Sequence, residues 1–228
     1  MGKDKIRRFE ENKTFKHVVQ PTRDEVINDF SLKGKWRQEF FKNDHPIVLE
    51  LGCGKGEYTI AMSRREPNKN FIGIDIKGAR FWRGAKTAKD ENLQNVGFVR
   101  TQIELIDYLF DKGEVNEIWI TFPDPQIKFR RTKHRLTHPS FLAKYASILT
   151  KDGTVNLKTD SEFLHGYTHG ILQAEGHKVL QSSHDVYHPD HADIPPIVTE
   201  VQTFYESKFL EENKKITYCL LYTSDAAD

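Results

Sequence analysis

The chain has 228 residues, 37% of them hydrophobic, which is enough for one α/β domain with a real core and short for two. No apolar stretch is long enough to cross a bilayer, and the opening "MGKDKIRRFEENK" lacks the apolar segment of a secretion signal, so no membrane partner and a cytoplasmic location are expected. The formal net charge of +1 says little about partners, but cations gather near the start and again in 128–135, where a local patch could attract a polyanion.

Residues 1–22 are polar and basic without a clear period, which predicts a flexible arm that orders only around a ligand. Over 24–41 the apolar positions Val26, Ile27, Phe30, Trp36, Phe40 and Phe41 predict a helix interrupted near Gly34. Pro46 then releases "IVLEL", a β-branched apolar run that reads as a strand buried on both faces. The chain goes on to alternate: strand "NFIGIDI", helix "ARFWRGAKTAKDEN", strand "VGFVRT", short helix "IELIDYLF", strand "VNEIWITF". Helix "PSFLAKYASIL", strand "GTVNLKT", helix "SEFLHGYTHGILQAEG", strand "KVLQSSH", helix "FYESKFLEEN" and strand "KITYCLLY" complete it. This alternation predicts a single α/β domain over 23–222, built on a mostly parallel seven-stranded sheet with helices on both faces. Residues 223–228 form a small polar tail, and Cys53 and Cys219 read as buried reduced thiols.

The first strand runs into "ELGCGKGEY", with Glu50 ahead of Gly52, Gly54 and Gly56. Glycines between a strand and a helix let a ligand approach the backbone, as in dinucleotide sites. The acid narrows the choice. A pyrophosphate on this loop would meet Glu50 without compensation, whereas a ligand bearing an ammonium and a sulfonium would be attracted. S-adenosylmethionine is such a ligand. Asp75, ending the second strand, stands where a carboxylate can accept both hydroxyls of an adenosyl ribose.

The strand "VNEIWITF" ends in "FPDPQIKFRRTKHRL", where Asp124 lies between Pro123 and Pro125 and is followed by Lys128, Arg130, Arg131, Lys133 and Arg135. Ligands of open α/β sheets bind beyond the carboxyl ends of the strands, so Asp124 is expected in one crevice with Glu50 and Asp75. The prolines restrict the backbone around the acid, and the cations beside it suit a phosphate backbone.

Through "LELGCGKG", "FIGIDI", "FPDPQIK", "NLKTD" and "TFYESKF", in that order from about residue 48 to 222, the sequence resembles the bacterial tRNA (guanine-N7)-methyltransferases. The resemblance implies a Rossmann-like class I methyltransferase that moves a methyl group from S-adenosyl-L-methionine to N7 of a guanine in the variable loop of tRNA. It implies that Glu50, Gly52, Gly54, Asp75 and Asp124 contact the cofactor, and that Asp124 is the catalytic candidate. Lys128, Asp160, Thr203 and Glu206 are implied to contact substrate, and Arg130 and Arg131 join them as cations of the run beside the crevice. Two positions depart from the family pattern. "RTQIE" offers Thr101 and Gln102 where many members meet the adenine with Asp or Asn, and Gln126 replaces a frequent Trp.

Other readings of the same residues stay open. Asp160 also reads as an N-cap ahead of Ser161 and Glu162, and Thr203 with Glu206 as a capping box. A small-molecule methyltransferase would keep the cofactor acids but has no use for the cationic run, and an RNA-binding protein without activity would have no use for the acids. No metal is expected from His184, His188 and His191 with Asp185, Asp190 and Asp193, because their proline-containing loop suits rigid ligation poorly. No obligatory protein partner is inferred, and monomer or homodimer is left open.

Overall fold

A computed structural model describes residues 2–189 and 194–222 of the chain. Asp190, His191 and Asp193 of the histidine segment, and the tail 223–228, lie outside the described residues. Strands β1 (Val18–Val19), β2 (Ile47–Leu51), β3 (Asn70–Ile74), β4 (Val96–Val99), β5 (Val115–Thr121), β6 (Leu149–Thr159), β7 (Lys178–Ser183) and β8 (Thr217–Tyr222) form one sheet in the order β1, β4, β3, β2, β5, β6, β8, β7. All pairs from β1 through β6 are parallel, and β8 runs antiparallel between β6 and β7. The seven expected strands are present. The sheet gains an eighth, the two-residue β1 on β4, because main-chain bonds to His17 and Val19 need no apolar run to announce them.

Helices α1 (Gly2–Asn12), α2 (Arg23–Asp29), α3 (Glu57–Arg65), α4 (Gly78–Asp90), α5 (Ile106–Leu109), α6 (Pro139–Ile148), α7 (Glu162–Ala174), α8 (Ile197–Glu200) and α9 (Phe204–Glu211) flank the sheet. Alternate residues of β2 divide the core: Ile47, Leu49 and Leu51 pack with Ile72, Ile118 and Tyr145 on one face, while Val48 packs with Phe71, Phe98 and Trp119 on the other. The second face carries Glu50, so an acid in the middle of an apolar strand points toward α3. There the layers approach closely around Phe98. A Cβ on Gly56 or Gly84 would lie 2.7 or 2.8 Å from its ring, so these glycines set the distance of α3 and α4 from the sheet.

The expected flexible arm at 1–22 takes another form. Residues 2–12 are helical and lie on α4, where Asn12 donates to the Gly78 carbonyl at 2.9 Å and the Trp82 indole donates to Glu11 at 2.9 Å. Arg8 stacks over Trp82 at 4.8 Å. Polar and cation–π anchors of this kind leave no apolar period in the sequence. The expected helix over 24–41 is α2, closed at its start by a Thr22–Glu25 capping box, followed by a separate π-helical turn at Trp36–Phe41. Phe30 leaves the helical region between them.

Candidate active site

The strand order reverses at β2, with β3 and β4 on one side and β5 and β6 on the other. Crevices open beyond the carboxyl ends at such a point. Register pairs Leu51 with both Ile74 and Ile120, so Glu50 on β2, Asp75 after β3 and Asp124 after β5 leave from the ends of three neighbouring strands. The structure thus gathers the three expected acids at one end of the sheet.

Their environments differ. Glu50 is 2% exposed and accepts from the Thr59 amide at 2.8 Å, from the Thr59 hydroxyl, and from the Thr121 hydroxyl at 2.7 Å. Burial pushes its carboxyl up to about 7, opposed by those hydrogen bonds and helped by the nearby charge of Asp75. A cation beside it would reverse the shift. In the ligand-free protein this acid is neutral in both folded and unfolded chains at low pH, and the unfolded chain ionises it first, near pH 4.3, as pH rises. Its contribution to stability is therefore present at low pH and lost as pH climbs through about 7. The melting-temperature difference between the protein and Glu50→Gln is expected to move against the native residue between about pH 4 and 7; a difference independent of pH would disprove the shift.

Asp75 is nearly buried and shapes the glycine loop: Oδ2 accepts from the Gly54 amide at 3.0 Å and Oδ1 from the Lys77 amide at 2.7 Å. Each oxygen keeps a second lone pair. Gly52 and Gly54 have φ values of +75° and +55°, where a side chain is strained. A Cβ on Gly52 would meet nothing within 4 Å, and one on Gly54 only the Gly52 carbonyl at 3.9 Å. The loop is therefore a cradle with open space above it. Ile76, next to Asp75, is 47% exposed and offers an apolar face for a flat ring; the sequence signal was an aliphatic residue directly after the strand-end acid. Thr101 is buried after β4, while the exposed Gln102 is held by Arg23 at 3.1 Å.

Asp124 is exposed, and its Oδ1 accepts from the Gln126 amide at 3.0 Å. Phe122 and Gln126 on either side both have φ of 47°, a region non-glycine residues avoid at a cost of about 1–3 kcal/mol. Arg135 holds this strained loop. It is 5% exposed and donates to the carbonyls of Pro125, Gln126 and Ile127 at 3.1–3.4 Å. This corrects the reading of Arg135 as a phosphate-binding cation: its donors are spent on the loop. Lys128 is exposed ahead of a 3₁₀ helix at Phe129–His134 that carries the exposed Arg130, Arg131 and Lys133.

Asp160 follows β6 and lies 3.6 Å from the Lys214 ammonium; the N-cap of α7 is Ser161, so the N-cap alternative for Asp160 falls. Thr203 and Glu206 form the capping box of α9. Glu206 is fully buried, 2.7 Å from the equally buried Lys158 and 2.7 Å from the Tyr187 hydroxyl, so its place is inside the wall of the crevice rather than on its surface. Lys158, Thr59 and Thr121 carry no signal of their role in the sequence, because a lysine or threonine in a strand bears no mark of its distant partner. Among the described residues no group of His, Cys, Asp or Glu is arranged to hold a metal ion. No helix among them is long and apolar enough to cross a membrane.

Comparison with known proteins adds the lineage. A family model described as "Putative methyltransferase" matches residues 44–219. A tRNA (guanine-N(7)-)-methyltransferase of Christiangramia forsetii is 63% identical, the match covering 95% of this chain and 96% of that protein. One from Bacteroides fragilis is 46% identical over 96% of this chain and 85% of that protein. Among solved structures an antibiotic-related methyltransferase superposes with a TM-score of 0.62 at 16% identity, covering 92% of this chain and 98% of its own, which shows the shared Rossmann-like methyltransferase fold. With relatives of this description matching along nearly the whole length, the chain belongs to the tRNA (guanine-N(7)-)-methyltransferase family.

Proposed function

We propose that the protein methylates N7 of a guanine in the variable loop of tRNA, with S-adenosylmethionine as methyl donor. The observation that carries this is the placement of Glu50, Asp75 and Asp124 at the ends of three neighbouring strands around an open glycine cradle, beside exposed cations. The site suits the cofactor: Glu50 is a buried carboxyl lacking a cation, Asp75 has a free lone pair on each oxygen, and Ile76 presents an apolar face. S-adenosylmethionine supplies an electrophilic methyl group. Thr101 or Gln102 is assigned to its adenine end.

Guanine N7 carries an in-plane lone pair and no proton, so no base is needed before attack. The protein's task is to orient the base and exclude water. Asp124, tied to the Gln126 amide, is assigned to the purine, either stabilising positive charge that develops on the ring or accepting from guanine N1–H and N2–H. Lys128, Arg130 and Arg131 neutralise tRNA phosphates, Asp160 reaches substrate from the end of β6, and Thr203 with Glu206 builds the wall that carries Phe204 and Tyr205. tRNA is met in the cytoplasm of a bacterial cell, and the working protein is assigned to that compartment.

Incubation with labelled S-adenosylmethionine and unmodified tRNA, followed by nucleoside analysis, should yield 7-methylguanosine; label in another nucleoside, or none, would refute the assignment. Arg130→Glu with Arg131→Glu is expected to weaken tRNA binding and lower the magnitude of its log–log salt slope by about 2, one for each phosphate no longer neutralised. An unchanged slope would return the run to a solvated surface.

A further inference from the structure

One surface beside the crevice has no role in methyl transfer. Phe129 is 92% exposed and Ile127 68%, the two most exposed large apolar side chains among the described residues; Phe129 lies within the cationic run and Ile127 directly before it. They border a groove of about 620 Å³ that Thr132 and Arg135 line from the same segment and Glu162, Phe163, Gly166 and Tyr167 line from α7. The floor is flat. Arg135 stacks over Phe163 at 4.8 Å and Tyr167 at 4.3 Å, and a Cβ on Gly166 would meet nothing within 4 Å.

Exposing Phe129 in water is unfavourable and invites a partner. The surrounding charge selects it. Lys128, Arg130, Arg131 and Lys133 are exposed around the apolar pair, whereas a second copy of this chain docking here about a two-fold axis would bring two such runs together. An aromatic ring set among cations, sharing a groove with a guanidinium stacked on two further rings, matches an unstacked nucleobase between phosphates. Arg135 holds the Phe129 turn to the same loop as Asp124, so this groove and the acid keep a set spacing.

We propose that this groove is a second base site, in which Phe129 stacks on an unpaired nucleobase of the RNA other than the guanine that is methylated. The proposal rests on the tRNA reading above. It predicts which energy term Phe129 contributes: stacking, not charge.

Phe129→Ala is expected to raise KM for tRNA about tenfold, the scale of one missing base stack, with little change in kcat and none in the salt slope. Phe129→Trp should restore KM, and its added indole emission should be quenched by tRNA but not by heparin, a polyanion without bases. An unchanged KM in Phe129→Ala, or equal quenching by heparin, would overturn the proposal. So would a wild-type dimer that Phe129→Ala dissociates, or loss of binding to anionic phospholipid vesicles in its place. Quenching is read without turnover, so failure of the methylation assay and failure of stacking are separate results.

Discussion

Asp124→Ala is expected to lower kcat by about 10²–10³-fold, the usual scale for removing an electrostatic interaction at a reacting centre, while the melting temperature barely moves. Stability should hold because Asp124 is exposed and its bond to the Gln126 amide closes only a local turn. The loop has other supports: three carbonyl bonds from Arg135 and the two prolines persist in the variant. Asp124→Asn separates turn from charge, since an amide oxygen can still accept from Gln126. If negative charge is the active quantity, the asparagine variant falls nearly as far as the alanine one. If Asp124 reads the guanine N2 amino group, a tRNA carrying inosine at the target, which lacks that group, should be a poor substrate for the native protein and should cost the asparagine variant far less. Wild-type turnover by Asp124→Ala would remove the residue from the mechanism altogether.

Most of the sheet was legible because parallel strands are buried on both faces and read as continuous apolar runs, as "IVLEL" and "NFIGI" do. The strand ends were legible too, and with them Asp75 and Asp124, since polar residues after such runs mark where the chain leaves the core; Glu50 stood out for the opposite reason, as an acid inside an apolar run just ahead of the glycines. What stayed hidden depends on partners far away in sequence. Arg135 looks like its exposed neighbours Arg130 and Arg131 until the loop folds back under it. Residues 2–12 look like a loose arm until Trp82 is placed beneath them. The capping box of α9 was legible as local spacing, but the burial of Glu206 was not, because that depends on Lys158, 48 residues earlier.

That hidden pair should dominate the stability of the crevice wall. Lys158 and Glu206 have no exposed side-chain surface, and burial pulls the Lys158 ammonium down in pKa against the attraction of Glu206. Lys158 also donates to the Val201 carbonyl at 3.1 Å, while Glu206 accepts from Tyr187. Lys158→Met leaves Glu206 buried without its cation, and removal of one partner of such a pair costs about 3–5 kcal/mol, or roughly 10 °C in melting temperature for a chain of this size. The loss should reach the site. Glu206 holds Thr203 at the start of α9, where the Phe204 amide donates to Glu57 and the Phe204 ring lies 3.8 Å from the Lys55 ammonium of the glycine loop. A loosened α9 therefore disturbs the cradle, and tRNA and cofactor affinity should both weaken in Lys158→Met. Replacing both partners, Lys158→Met with Glu206→Met, removes the stranded charge and should recover a large share of the melting temperature while leaving α9 without the acid of its capping box. Stability regained with activity still low would show that the pair holds the wall in place for function. A double variant no more stable than the single one would mean the cost lies in packing, and that the ion pair is not what secures α9.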